Sequence, residues 1–245
     1  TICTGTNVDF TATPVNGGST PTYQWFVNAT PAGTTSNFSS TALSNNDIVS
    51  CVLTSNLSCT TGNPANSNTI TMTVNPNAPV SVTISATETA ICDGTNVTFS
   101  ATPVNGGSSP AYQWLVNATN AGTGASYSSS SLANGDVVSC VLTSNASCAT
   151  GNPAPSNTIT MNVTDLAPVS VSIAASATTL CSGTSVTVTP TPVNGGATPS
   201  YQWYINGNPA GTSTLLVSSA LANDDVVHCV LTSDAACASN NPATS

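Results

Sequence analysis

Nine cysteines are the side chains best suited to covalent chemistry here, and they come three to a period of 89 residues. Cys3, Cys92 and Cys181 form one set, Cys51, Cys140 and Cys229 a second, and Cys59, Cys148 and Cys237 a third. Thiols recurring in register suit disulfides, and three per repeat point to an oxidising compartment outside the cytoplasm. Buried free thiols are the bland counterpart, because Cys packs well in a core. Other reactive types are sparse. His228 is the sole histidine, and without a repeating partner it makes neither a metal site nor a triad. Asp47, Asp136 and Asp225 recur and could suggest a calcium ligand between domains, but no second acid repeats with them. They read as corner residues that accept backbone N–H groups. Asp9, Glu88, Asp93, Asp165 and Asp234 are not paired in register, so twin carboxylates of the glycosidase kind have no support. No catalytic residue, metal ligand or cofactor site is expected.

Charge narrows the partners. Lys and Arg are absent and nine acids remain, giving a formal net charge of −9. Charged residues are 4% of the chain, against about a quarter in ordinary domains. Without cations there is no counterion-releasing contact to phosphate, which excludes nucleic acid and anionic membrane surfaces. No apolar run approaches the roughly 20 residues of a membrane helix, so membrane insertion is not expected. No secretory signal opens the sequence, which starts inside a repeat and so reads as a mature segment or a fragment. Trypsin-like proteases find no Lys or Arg bond to cut. Solubility must come from Ser, Thr, Asn and Gly, or from attached sugar.

The elements that position these residues are read most easily in the middle copy. Val80, Val82 and Ile84 alternate with polar residues, as in a half-buried strand. Val97, Phe99 and Ala101 alternate again after the Asp93, Gly94 turn, and Tyr112, Trp114 and Val116 share a face beyond the Asn105, Gly106, Gly107 turn. Tyr127 marks a short strand; Val138, Cys140 and Leu142 make another, and a loop over 144–157 leads to Ile159, Met161 and Val163. Trp25, Trp114 and Trp203 recur 89 apart as core centres. Turn signals come every 8–12 residues and no helical period is present, which predicts antiparallel β-sandwiches. The repeats divide as 1–77, 78–166 and 167–245, and a fixed period spreads function along an array.

The spacing resembles an immunoglobulin-like domain. Trp114 falls where such domains bury a Trp, and Cys140 where they place the second core cysteine, but Ala12, Ala101 and Pro190 occupy the first cysteine position. The usual inter-sheet bridge is therefore absent. At the level of whole phrases, ICDGTNVTFSATPVNGGSSPAYQWLVN and NGDVVSCVLTSNASCATGNPAPSNTITMNV are similar to the tandem Ig-like (PKD-like) repeats of secreted cell-surface adhesins in Bacteroidota. That resemblance covers all three copies and implies an extracellular stalk or adhesive fibre, with no catalytic residue to carry over.

Two disulfide arrangements remain open. Cys92, at the turn after the first strand, and Cys148, in the last hairpin loop, lie at opposite poles of one sandwich, too far apart for the ~7 Å a bridge allows. Staples Cys3–Cys148 and Cys92–Cys237 between neighbours would leave Cys51, Cys140 and Cys229 reduced. The rival is one bridge within each domain that uses the central cysteine. The ends are also incomplete against the period. The missing residues match 68–89, so the first copy lacks its opening strand and the third its last. A longer array accounts for this, and strand donation between copies is the alternative.

Seven sequons are present, at Asn28, Asn37, Asn56, Asn96, Asn117, Asn145 and Asn162. Asn28 with Asn117, and Asn56 with Asn145, recur in register, and the third copy carries neither sequon. Hydroxyl-rich strands offer O-linked sites as readily. The expected function is a non-catalytic, glycan-coated extracellular stalk or fibril whose partners are neighbouring repeats or copies of itself. The other class is an adhesive module that takes a carbohydrate or protein ligand on the polar loops around 16–18. Phe26 and Tyr204 could suggest a sugar platform, but Leu115 holds that place in the middle copy, so strand filling explains them better.

Overall fold

The computed structural model describes residues 1–245, and every regular element in it is a strand. In the middle repeat, Ser81–Ala86, Val97–Val104 and Ser126–Ser129 form an antiparallel three-stranded sheet. Ala111–Val116 lies at the centre of the second sheet, between Thr119–Thr123 and Val137–Thr143; Ala154–Pro155 and Ile159–Thr160 pair with Val137–Thr143. Alternating sequence puts Val97 and Phe99 inward from one sheet, and Trp114, Val138 and Cys140 inward from the other, all fully buried. Beyond Ser81–Ala86, Ala90–Cys92 runs parallel to the last strand, Asn162–Thr164, as a separate two-stranded sheet. The chain is three tandem immunoglobulin-like sandwiches.

Each core is built around its Trp. Trp114 Nε1–H donates to the Gly124 carbonyl at 2.9 Å, so the indole is buried without an unpaired donor. Trp25 and Trp203 do the same to Thr35 and Ser213. Phe99 and Tyr127 close an aromatic trio with Trp114, as Phe10 and Phe38 do with Trp25. The third repeat fills that space with Val188 and Leu216 instead. The segment holding Ile159, Met161 and Val163 is two short strands rather than one, Ile159–Thr160 on the second sheet and Asn162–Thr164 beside Ala90–Cys92.

The outer repeats differ at one edge each. Val8–Thr11 pairs with Asn37–Ser40 on one side and has no partner on the other. Its counterparts Val97–Val104 and Val186–Val193, flanked on both sides, run eight residues against its four. An open groove of about 540 Å³ lies along that free edge. In the third repeat the last hairpin strand is Ala243–Thr244, and a groove of about 890 Å³ lies where the middle repeat has Ile159–Thr160 and Asn162–Thr164.

Candidate functional site at the repeat junctions

The residues capable of covalent chemistry meet between repeats. Cys3 is joined to Cys148, and Cys92 to Cys237, with Cα atoms 5.4 and 5.3 Å apart. The local structure shows why. Ile2–Cys3 runs parallel to Val74–Asn75, which places Cys3 opposite Asn75 at the exit of repeat 1. Three residues later the chain enters repeat 2, where Ala78 N–H donates to the Cys148 carbonyl at 2.9 Å and Ala78–Pro79 pairs with Ala149–Thr150. Each disulfide therefore lies alongside the linker it spans. The second junction repeats the arrangement, with Cys92 opposite Thr164 and Ala167 N–H donating to the Cys237 carbonyl at 2.8 Å.

The other five cysteines are thiols. Cys51, Cys140 and Cys229 lie opposite Trp25, Trp114 and Trp203 across paired strands. Burial pushes all three thiols up; a main-chain bond at Gln24 and at Gln113 offsets part of this for Cys51 and Cys140. They stay protonated and inert. Cys59 and Cys181 are exposed. Cys59 keeps the left-handed backbone of its bridged counterparts, φ 71° against 60° at Cys148 and 56° at Cys237.

Three side-chain devices hold the poles, and two involve sequon asparagines. Asn28, Asn117 and Asn206 sit at φ near 50° in the hairpin turn. Each amide donates to the corner carboxylate of Asp47, Asp136 or Asp225 at 2.6–2.7 Å. The same carboxylates accept the N–H of Ser44, Ala133 and Ala222, so the corner role expected of them is what the geometry displays. Asn56 and Asn145 accept the Thr20 and Ser109 N–H groups, and Asp234 takes that place in the third repeat, accepting from Thr198. The Thr198 hydroxyl and then its N–H hold the Asp234 carboxyl below its usual range; the Ala222 N–H and then the Asn206 amide do so for Asp225. Third, Asn105 and Asn194 donate to the carbonyls of Pro79 and Pro168, which anchors the entering chain.

All seven sequon asparagines are exposed. Asn28, Asn56, Asn117 and Asn145 have amides committed to the bonds just described, whereas Asn37, Asn96 and Asn162 make no side-chain hydrogen bond. The sequence could have flagged this division, because Asn206 recurs in register with no sequon attached. Phe26 is half-buried, as is Tyr204. Tyr204 stacks on His228 with ring centroids 4.8 Å apart and planes within 8°. His228 is half-buried on the same outward face, with its ring packed against a cross-strand neighbour. No group of three or more His, Cys, Asp or Glu side chains is placed to hold a metal.

No family model matches the chain, and no curated protein matches it. Among solved structures, it is similar to the mouse nectin-like molecule 4 ectodomain (Ig1–Ig3) at 12% identity, covering 100% of this chain and 94% of that one, TM-score 0.40. It is similar to three N-terminal domains of the bacteriophage RB49 highly immunogenic outer capsid protein at 12% identity, covering 98% and 91%, TM-score 0.37. The fibronectin(III)-like modules of Clostridium thermocellum CbhA match at 13% identity over 67% of this chain and 88% of that one, TM-score 0.32. These likenesses concern the fold alone.

Proposed function

We propose that this chain is a non-catalytic spacer segment of an extracellular surface stalk or fibril. The observation that carries the reading is the disulfide lying beside the linker at each junction, between consecutive repeats in the same register. Such bonds persist in oxidising surroundings, which supports a location outside the cytoplasm. Cys59 and Cys181, the counterparts of bridged cysteines, would carry the same staple onto neighbouring repeats or copies. Covalent glycan on Asn37, Asn96 and Asn162, whose amides are free, would solubilise a surface that has no cations. Electron microscopy of native material tests the reading: a uniform filament is expected, and a compact globule with three parts around a shared cavity would overturn it. Intact mass of the same material tests the glycan, since a mass equal to the bare polypeptide removes it.

An adhesive module is the second reading, and one observation weighs against it. The loops that would bind a ligand are occupied in repeats 2 and 3, where Asn105 and Asn194 hold the linker carbonyls. A glycan array probed with the triple repeat is expected to stay blank.

A further inference from the structure

We infer that the repeats form a tether that limits its own extension, because tension crosses repeat 2 through two short segments and leaves its Trp-centred core unloaded. A pull from repeat 1 enters repeat 2 by two bonds, the peptide bond to Ala78 and the disulfide from Cys3 to Cys148. It leaves for repeat 3 by two more, the peptide bond after Leu166 and the disulfide from Cys92 to Cys237. Tension follows the shortest covalent path, so one route takes 78–92 and the other 148–166. Residues 93–147 join the two routes as a longer side loop, which stays slack. That loop holds Val97, Phe99, Trp114, Leu132, Val138 and Cys140, all in the core of the repeat.

The loaded segments have little length to give. A β-strand already rises about 3.2–3.4 Å per residue, close to the limit of about 3.3–3.6 Å for a trans chain. Ala78–Pro79, Ser81–Ala86 and Ala90–Cys92 make up most of the first route, and Ala149–Thr150, Ala154–Pro155, Ile159–Thr160 and Asn162–Thr164 part of the second. Both routes run from the entry pole to the exit pole, so a pull loads them in the same sense. They are also tied side by side: Ala78–Pro79 pairs in parallel with Ala149–Thr150, and Ala90–Cys92 with Asn162–Thr164. Between those ties Asn157 accepts the Ile84 N–H at 2.8 Å and donates to the Ile84 carbonyl at 3.2 Å. A tension limiter presupposes the spacer role proposed above, whereas the routing belongs to the covalent chain itself.

Single-molecule stretching of the 1–245 protein tests it, with a thioether handle on the exposed Cys59 and a second handle fused after Ser245; Cys181→Ser leaves Cys59 as the one exposed thiol. The oxidised chain should pull taut over 59–92 and 237–245 alone, about 140 Å at ~3.4 Å per residue. After reduction the same chain should reach about 630 Å over 59–245, a gain of about 4.5-fold. Cys92→Ser with Cys237→Ser removes one bridge without reductant, and the path through Cys3 and Cys148 should then allow about 520 Å. At a load that unfolds the reduced chain, the oxidised chain should keep Cys51, Cys140 and Cys229 from a fluorescent maleimide. Oxidised extension well past 140 Å, a double variant no longer than its parent, or labelling of the buried thiols under load before reduction would each overturn the routing. Failure of the spacer reading would show in micrographs of native material and leave these lengths unchanged.

Discussion

Five thiols share one chain, and burial sorts them. Cys59 and Cys181 are open to solvent, whereas Cys51, Cys140 and Cys229 sit behind their tryptophans with raised thiol pKa. A maleimide at neutral pH should label two cysteines per native chain, and five after unfolding without reductant. Labelling of Cys140 in the native state would show that the core opens. Asp234 gives a second prediction, about pH. Its carboxyl sits below the usual 3.8 because Thr198 donates to the charged form. A depressed carboxyl contributes stability that is full above its unfolded value and is lost as pH falls through the folded one. Hydrogen exchange at the Thr198 amide should therefore accelerate as pH drops below about 3.8. Asp234→Asn, which restores the residue type of repeats 1 and 2, should flatten that dependence; an unchanged profile would remove Asp234 from the cause.

At the scale of turns and strands, the Gly pair before each central strand shows how little room the loops leave. Gly107 has φ +85°, and a Cβ there would strike the Asn145 side chain and approach the Ala146 nitrogen at 2.6 Å. Gly107→Ala should cost about 1–3 kcal/mol from backbone strain alone, read as earlier melting of repeat 2 with repeats 1 and 3 unchanged. The strands themselves are legible in the sequence, since alternation around Val82, Phe99, Trp114 and Cys140 is local and has a period of two. What local pattern could not carry is the role of Asn28 and Asn117. Their partners Asp47 and Asp136 lie 19 residues away, in a contact that exists only after the sheet has formed. The sequon drew attention to the surface of these residues when the φ of the turn had chosen them. His228 was obscure for the same reason, because its stacking on Tyr204 is a cross-strand contact with no counterpart in the other copies.

For the whole molecule, the absence of Lys and Arg becomes an experimental tool. Asn77 is exposed in the linker, and Asn77→Lys would create the chain's only tryptic site. Trypsin should cut it while the protein still migrates as one species, with two fragments appearing only after reduction. Separation without reductant would mean that Cys3 and Cys148 do not bridge in solution. In the sequence, the poles at which neighbouring sandwiches meet left junction staples as one of two open pairings, because the distance between Cys3 and Cys148 or between Cys92 and Cys237 is set only once the repeats are stacked.

The span of each disulfide has a topological result. Both close loops with a sequence separation of 145, longer than the 89-residue period, so successive closures overlap instead of merely touching. Any single backbone scission between Cys3 and Cys237 falls inside at least one ring. One nick anywhere in that range leaves the polypeptide a single covalent object.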